Sequence, residues 1–222
     1  MRLSIIVPVL NEAAGIPGAL DALAPLRARG HEVVVVDGGS DDRTRELAAP
    51  LADRVIQAPR GRARQMNAGA DAATGAVLLF LHADTRLPAC ADDLVFLSLE
   101  KHLWGRFDVR IEGVHPLLRV VGFAMNLRSR LTGVATGDQA IFVRRDAFAG
   151  FPEIALMEDI AFSAAMKRRG APACLRERVT TSGRRWERNG VLRTVLRMWW
   201  LRLAYFLGVS PDEIARRYAK QL

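Results

Sequence analysis

Residues 33–42 read "VVVVDGGSDD": four β-branched apolar residues run straight into an aspartate, two glycines, a serine and two more acids. Four valines in succession suit a strand buried on both faces, as in a parallel sheet covered by helices, better than a half-exposed strand of alternating polarity. Asp37 is therefore expected at the carboxyl end of a central strand. In open α/β sheets that edge is where ligands bind.

The segments around this one alternate in the same way. "LSIIVPV" (3–9) precedes a helix over 12–28, "EVVVVD" (32–37) one over 41–49, "RVIQA" (54–58) one over 62–73, and "AVLLFLHAD" (76–84) one over 90–100. This alternation predicts βαβ units and a mainly parallel sheet. Beyond Trp104 it fades: 106–111 and 139–145 read as strands, 116–131 and 158–169 as helices, and "GVATGD" (133–138) as a flexible loop. A helix-compatible run follows Gly190, and "SPDEIARRYAKQL" (210–222) starts another, with Ser210 as cap and Pro211 in the first turn. The expected organisation is one α/β domain over 1–189, with halves 1–103 and 104–189, and a helical tail over 190–222.

The chain has 222 residues, half of them hydrophobic, enough to bury a single core of good size. Its net charge of +8 admits a nucleic acid, an anionic membrane face or a phosphorylated substrate as partner, and does not choose among them. Cys90 and Cys174 lie far apart with no metal-binding spacing, which fits two ordinary thiols in a reducing cytosol. The apolar run from Leu3 to Leu10 is interrupted by Pro8 and stops at Asn11-Glu12, too short and wrongly flanked for a signal peptide. No stretch offers roughly 18 uninterrupted apolar residues, so no transmembrane helix is expected.

Chemistry enters through the acids. Asp37 ends one expected strand, Asp84 in "FLHADT" ends another, and "VPVLNE" (7–12) places Asn11 and Glu12 after a third. Parallel strands bring such ends to one edge, where separate strands aim carboxylates into one crevice. Aspartates after strands also serve as helix caps and turn formers, and taken singly each residue admits that plainer reading.

Five segments in order, "SIIVPVLNE", "VVVVDGGSDD", "GRARQMNAGA", "LFLHADT" and "MEDI", resemble the family 2 glycosyltransferases of GT-A fold. The resemblance runs over about residues 1–185, and the short stand-alone form is similar to a subgroup associated with arsenosugar biosynthesis. It implies transfer of a sugar, with inversion, from a nucleotide diphosphate-sugar donor to an acceptor that the sequence does not name. Carried over by position, it implies that Pro8, Asn11 and Glu12 line the base and ribose pocket. Asp37 then hydrogen-bonds the nucleobase, as an acceptor-only carboxylate can. Arg64 and Gln65 are expected to contact the nucleotide ahead of Arg60 and Arg62, for which a solvated helix face is an equal alternative.

"HAD" (82–84) stands where the family carries a metal motif, usually Asp-x-Asp, so the resemblance gives the divalent cation, Mn²⁺ or Mg²⁺, to Asp84. His82 replaces the first acid. Mn²⁺ tolerates imidazole better than Mg²⁺ does, which leaves His82 either a ligand or a packed neighbour. Asp159 in "LMEDIAF" matches the family's general base, which takes the acceptor hydroxyl's proton on the face opposite the leaving group. Glu158 beside it would raise its basicity by like-charge repulsion. Both acids also suit a helix N-terminus with no further role.

"SGRRWERNG" (182–190) resembles the Gln/Arg-x-x-Arg-Trp motif of polymer-binding members through Arg185 and Trp186, but Ser182 departs from it at the first position. Arg185 is expected to pair with the diphosphate, and Asp138 in "TGDQA" to touch a hydroxyl. Aromatic and basic residues interleave from Arg193 to Phe206, as they do in interfacial helices and in helices docked on their own domain. The expected setting is cytoplasmic, with peripheral contact to an anionic membrane admitted through this tail. The alternatives are a sugar-phosphate nucleotidyltransferase, which would show a Gly-rich N-terminal turn where this chain has "VPVLNE", and a nucleic-acid-binding module. No nucleic acid is expected.

Overall fold

The computed structural model describes residues 1–219. In chain order it runs β1 (Leu3–Val9), α1 (Ile16–Asp21), α2 (Ala24–Ala28), β2 (Glu32–Asp37), α3 (Thr44–Ala48), β3 (Arg54–Gln57), α4 (Arg62–Ala72), β4 (Val77–Phe80), β5 (Thr85–Arg86) and α5 (Ala91–Leu99). It continues with β6 (Trp104–Glu112), α6 (Leu117–Thr132), β7 (Phe142–Arg144), α7 (Glu158–Lys167), β8 (Ala173–Ser182), α8 (Arg184–Asn189), α9 (Val191–Phe206) and α10 (Pro211–Ala219). A 3₁₀ turn over Gly137–Gln139 precedes β7.

One sheet of strand order β3-β2-β1-β4-β7-β6-β8-β5 organises these elements. β3, β2, β1 and β4 run parallel, as the alternating sequence predicts. The second half is mixed, which the sequence did not indicate: β7 is antiparallel to both β4 and β6, β8 is parallel to β6, and β5 is antiparallel to β8.

All six residues of β2 are buried. Alternate side chains of a strand face opposite ways. Val33 and Val35 accordingly join Ile5, Val7, Ile16 and Leu20 on one face, while Val34 and Val36 join Ile6, Met66 and Ala70 of the other. Each such valine contributes roughly 1.5–3 kcal/mol by leaving water. Gly69 lets α4 lie directly on the sheet, since a Cβ there would stand 2.4 Å from Ile6 Cγ2 and 2.9 Å from Val36 Cγ2.

Two expectations shift. The helix foreseen over 12–28 is two, because Pro25, which lacks an N–H and has a fixed φ, opens α2 rather than continuing α1. The strand foreseen over 76–84 leaves the sheet after Phe80, and a turn closed by Thr85 N–H to His82 O (3.0 Å) lifts Asp84 clear of it. β8 had no sequence signal. The tail forms α9 and α10; Leu201, Ala204 and Ile214 pack with Met157 and Ile160 in a third apolar cluster. Ser210 accepts a long bond from Glu213 N–H (3.4 Å). Residues 220–222, the end of the foreseen tail, lie outside the described residues.

Candidate active site

The strand directions decide which residues meet. β1 and β4 end at one edge of the sheet; β8 ends there too, being parallel to β6, and β7 enters there, being antiparallel to its neighbours. That edge therefore gathers Glu12 after β1, Asp84 after β4, Asp138 before β7 and Arg185 after β8. They line a crevice of about 480 Å³ together with Pro8, Gln65, His82, Glu158, Asp159 and Trp186.

On the side of β1 and β2, two loops are laced together. Asn11 N–H donates to Ser40 Oγ (2.9 Å), Asp41 N–H to Asn11 Oδ1 (2.9 Å), Glu12 N–H to Thr44 Oγ1 (2.8 Å) and Ala13 N–H to Asp42 Oδ2 (3.1 Å). Asn11 adopts φ 54° in this arrangement, a left-handed conformation that asparagine tolerates better than most residues. Asp37 is fully buried. Its carboxylate accepts from Gly39 N–H (3.0 Å), from Ser40 N–H (3.0 Å) and from the Ser40 hydroxyl. Neither Asp37 nor Asn11 is part of the crevice lining. Asp37 holds the turn over 38–40 against β2. Gln65 does line the crevice, and its Nε2 ties the two strand ends by donating to Val9 O (2.8 Å) and Val36 O (2.9 Å).

The arginines fall differently from expectation. Arg60 and Arg62 line the crevice, whereas Arg64 is half-exposed outside it, with Nε 3.3 Å from Glu153 Oε2. Ala63, Met66 and Ala70 mark the buried face of α4; positions 62 and 64 flank Ala63 on opposite sides of the helix, and the crevice lies on the Arg62 side.

Asp84 is exposed at the crevice, its Oδ1 3.3 Å from Thr85 Oγ1 and 3.5 Å from Thr181 Oγ1. Burial, then the neighbouring charge of Asp84, pushes the Glu12 carboxyl above its ordinary value. Two carboxylates in one corner make a potential that a cation would relieve, so the donor set fits a hard divalent ion. No group of three or more His, Cys, Asp or Glu side chains among the described residues is arranged to hold a metal. A cation at Asp84 must take most of its ligands from a bound substrate or water. His82 Nδ1 lies 3.1 Å from Asp138 Oδ1, and Nε2 is buried against Gly137, where a Cβ would stand 2.4 Å away.

Asp159, in the first turn of α7, lines the same crevice. Burial first, then the adjacent Glu158, pushes its carboxyl up to about 6, while Gly137 N–H (3.1 Å), Arg62 and Ile160 N–H (2.8 Å) draw it back. Glu158 is itself buried and meets Arg62 Nη1 at 3.4 Å. Met157, just before them, is buried in the tail's apolar cluster at φ 72°. Asp138 sits below its ordinary value: burial opposes this, but the His82 hydrogen bond and the charges of His82, Arg62 and Arg185 outweigh it. Beneath them Arg128 of α6 is half-buried, with Nε and Nη2 unbonded. Burial lowers its pKa, and Asp159 and Asp138 partly offset that.

Trp186 is half-buried against the main core. Thr194, Met198 and Arg202 of α9 complete the wall, a contribution that sequence reasoning missed, as it missed Thr181.

Residues 4–111, which include Asp37 and Asp84, match the model of Glycosyl transferase family 2. The chain is 46% identical over 91 residues to the PGL/p-HBAD biosynthesis glycosyltransferase of Mycobacterium bovis, a match covering 38% of this chain and 36% of that protein. It thus spans about a third of that relative's length. Among solved structures, the mannosyltransferase PcManGT from Pyrobaculum calidifontis in complex with GDP-Man and Mn²⁺ superposes with a TM-score of 0.67 at 23% identity, over 97% of this chain and 64% of that one. S. aureus TarS 1-349 in complex with UDP-GlcNAc gives 0.66 at 21%, over 83% and 59%. The parallel half-sheet and the acids Asp37 and Asp84 thus lie in a segment, just under half of the chain, that matches the family 2 glycosyltransferases, and the chain as a whole has the GT-A fold that these glycosyltransferase structures share.

Proposed function

We propose that the chain transfers a sugar from a nucleotide diphosphate-sugar to an acceptor hydroxyl by direct displacement with inversion, and that Asp159 is the base. The observation that carries this reading is the Asp159 carboxyl: it lines the crevice that Asp84 also lines, with its pKa raised to about 6. A base with a pKa near the working pH is ionised and still accepts a proton readily in the transition state. PcManGT and TarS, which share the fold, are seen with GDP-Man and UDP-GlcNAc.

In this reading the nucleoside lies along Pro8 and Glu12. Asp37 acts on the base through the turn over 38–40 that its carboxylate holds, and Asn11 keeps the two loops in register. Arg62 and Arg185 face the diphosphate, with Arg60 beside them, and Asp138 orients the acceptor. A divalent cation at Asp84, Mn²⁺ or Mg²⁺, would supply positive charge to the departing nucleoside diphosphate. The sugar is then held between Asp84 and Asp159, so that the acceptor oxygen attacks from the α7 side as its proton passes to Asp159.

The test is single-turnover transfer from a labelled donor by Asp159→Asn, beside titration of nucleoside diphosphate with Mn²⁺. The expected result is a loss of about a hundred- to ten-thousand-fold in rate with nucleotide affinity kept. Transfer within a few-fold of the parent would give the base role to another residue.

A further inference from the structure

Two helices carry apolar side chains that the fold leaves open. On α6, Val120, Phe123, Leu127 and Leu131 recur at helical spacing and are exposed, Phe123 by 67%. On α9, Leu192, Leu196, Trp199, Leu203 and Phe206 do the same, Trp199 by 65%. The two helices touch. At 3.6 residues per turn, Leu196 and Leu203 point away from Thr194, Met198 and Arg202, which line the crevice. α9 is therefore a partition between the crevice and an apolar outer face.

Neither helix contains an acid. Arg119 of α6 and Arg193 of α9 are exposed at the margins of this face, while Arg202 turns to the crevice and Arg130 pairs with Asp108 (2.7 Å). Arg217 of α10 lies over the Trp200 ring, 5.4 Å from its centroid. No helix among the described residues is long and apolar enough to cross a membrane.

We propose that the joint α6/α9 face docks on an anionic bilayer surface, with its aliphatic and aromatic side chains at the headgroup boundary and Arg119 and Arg193 at its margins against lipid phosphates. Aromatic, leucine and arginine side chains on helices without acids are the composition that binds such surfaces. A second copy of the chain is a poorer occupant, because it would oppose two acid-free faces of chains each carrying +8. Docked this way, the crevice lies one helix diameter, about 10 Å, from the lipid. The proposal stands apart from the transfer reaction, since binding is read without turnover.

The test is flotation of the full chain with vesicles of phosphatidylcholine alone and of phosphatidylcholine with phosphatidylglycerol, at low and high salt. The parent is expected to float with the anionic vesicles at low salt, far less with the neutral ones, and to be released as salt rises. Phe123→Ser with Trp199→Ser, both at exposed positions, should weaken binding by about tenfold or more while the melting temperature stays near the parent's. Failure of the parent to float with anionic vesicles at low salt would overturn the proposal. So would a parent dimer that the double variant turns into a monomer, which would assign the face to a second copy.

Discussion

His82 Nδ1 stands 3.1 Å from Asp138 Oδ1, joining the segment after β4 to the turn before β7 across the middle of the crevice. The ring's other nitrogen is covered by Gly137. His82 is thus held as a strut, and His82→Ala should leave Mn²⁺-dependent affinity for a nucleoside diphosphate within a few-fold while the Asp138 carboxyl moves up toward its ordinary value. Calorimetry with the metal, together with an NMR titration of Asp138, checks both. An affinity loss as large as that of Asp84→Asn would instead make His82 a ligand.

Asp84→Asn should remove the metal dependence of nucleotide binding and leave the fold intact. It should also bring the Glu12 carboxyl down, because Asp84 is one of the charges that push it up. Chelation of the parent should reproduce the affinity loss without shifting Glu12 in the same direction. Calorimetry with and without EDTA, paired with carboxyl titration, separates the two effects.

The raised pKa of Asp159 fixes two pH dependences. Turnover should rise with pH through about 6 as the carboxylate forms. Stability runs the other way: the protonated carboxyl favours the fold at pH below its ordinary 3.8, and that contribution is lost as pH rises through about 6. Asp159→Asn should therefore melt higher than the parent at pH 8, with the difference closing by pH 4. A scan of melting temperature against pH reads this directly.

Arg62 and Arg64 should separate cleanly. Arg62 lowers the Asp159 pKa and pairs with Glu158, so Arg62→Gln should move the acid limb of the rate profile to higher pH and weaken donor binding. Arg64→Gln breaks an exposed contact with Glu153, of the kind worth about 0–1 kcal/mol, and should change neither. Parallel pH–rate profiles of the two variants decide the matter.

Gly69→Ala should destabilise the chain by about 1–3 kcal/mol, as overpacking does in a filled core, because its Cβ would meet Ile6 and Val36. Urea unfolding measures the loss, and crevice chemistry should survive in the folded fraction.

The half of the fold built from βαβ units was readable because its signals are local: a buried valine run, then an acid. Asp84 and Asp159 were likewise readable from what precedes and follows them. The choice between Arg62 and Arg64 was not, since both flank the buried face of α4 and only the tertiary position of the crevice breaks the tie. β8 escaped notice because Arg176, Glu177 and Arg178 interrupt its alternation, beside the register shift at Phe107/Asp108. Asp37 shows the opposite problem: its place at a strand end was right, yet the turn after it takes up its carboxylate. The wall formed by Thr194, Met198 and Arg202 has no signature in a helix whose polar and aromatic residues serve two surfaces.

Met157 gives the tail a second meaning. A non-glycine residue in the left-handed conformation costs about 1–3 kcal/mol and persists only where its surroundings insist on it. Here the surroundings are Leu201, Ala204 and Ile214. The two terminal helices thus work as a splint, set against the backbone one residue before Glu158 and two before Asp159. A disturbance of their packing would reach the crevice as a change in where that acidic pair points, with no crevice residue altered.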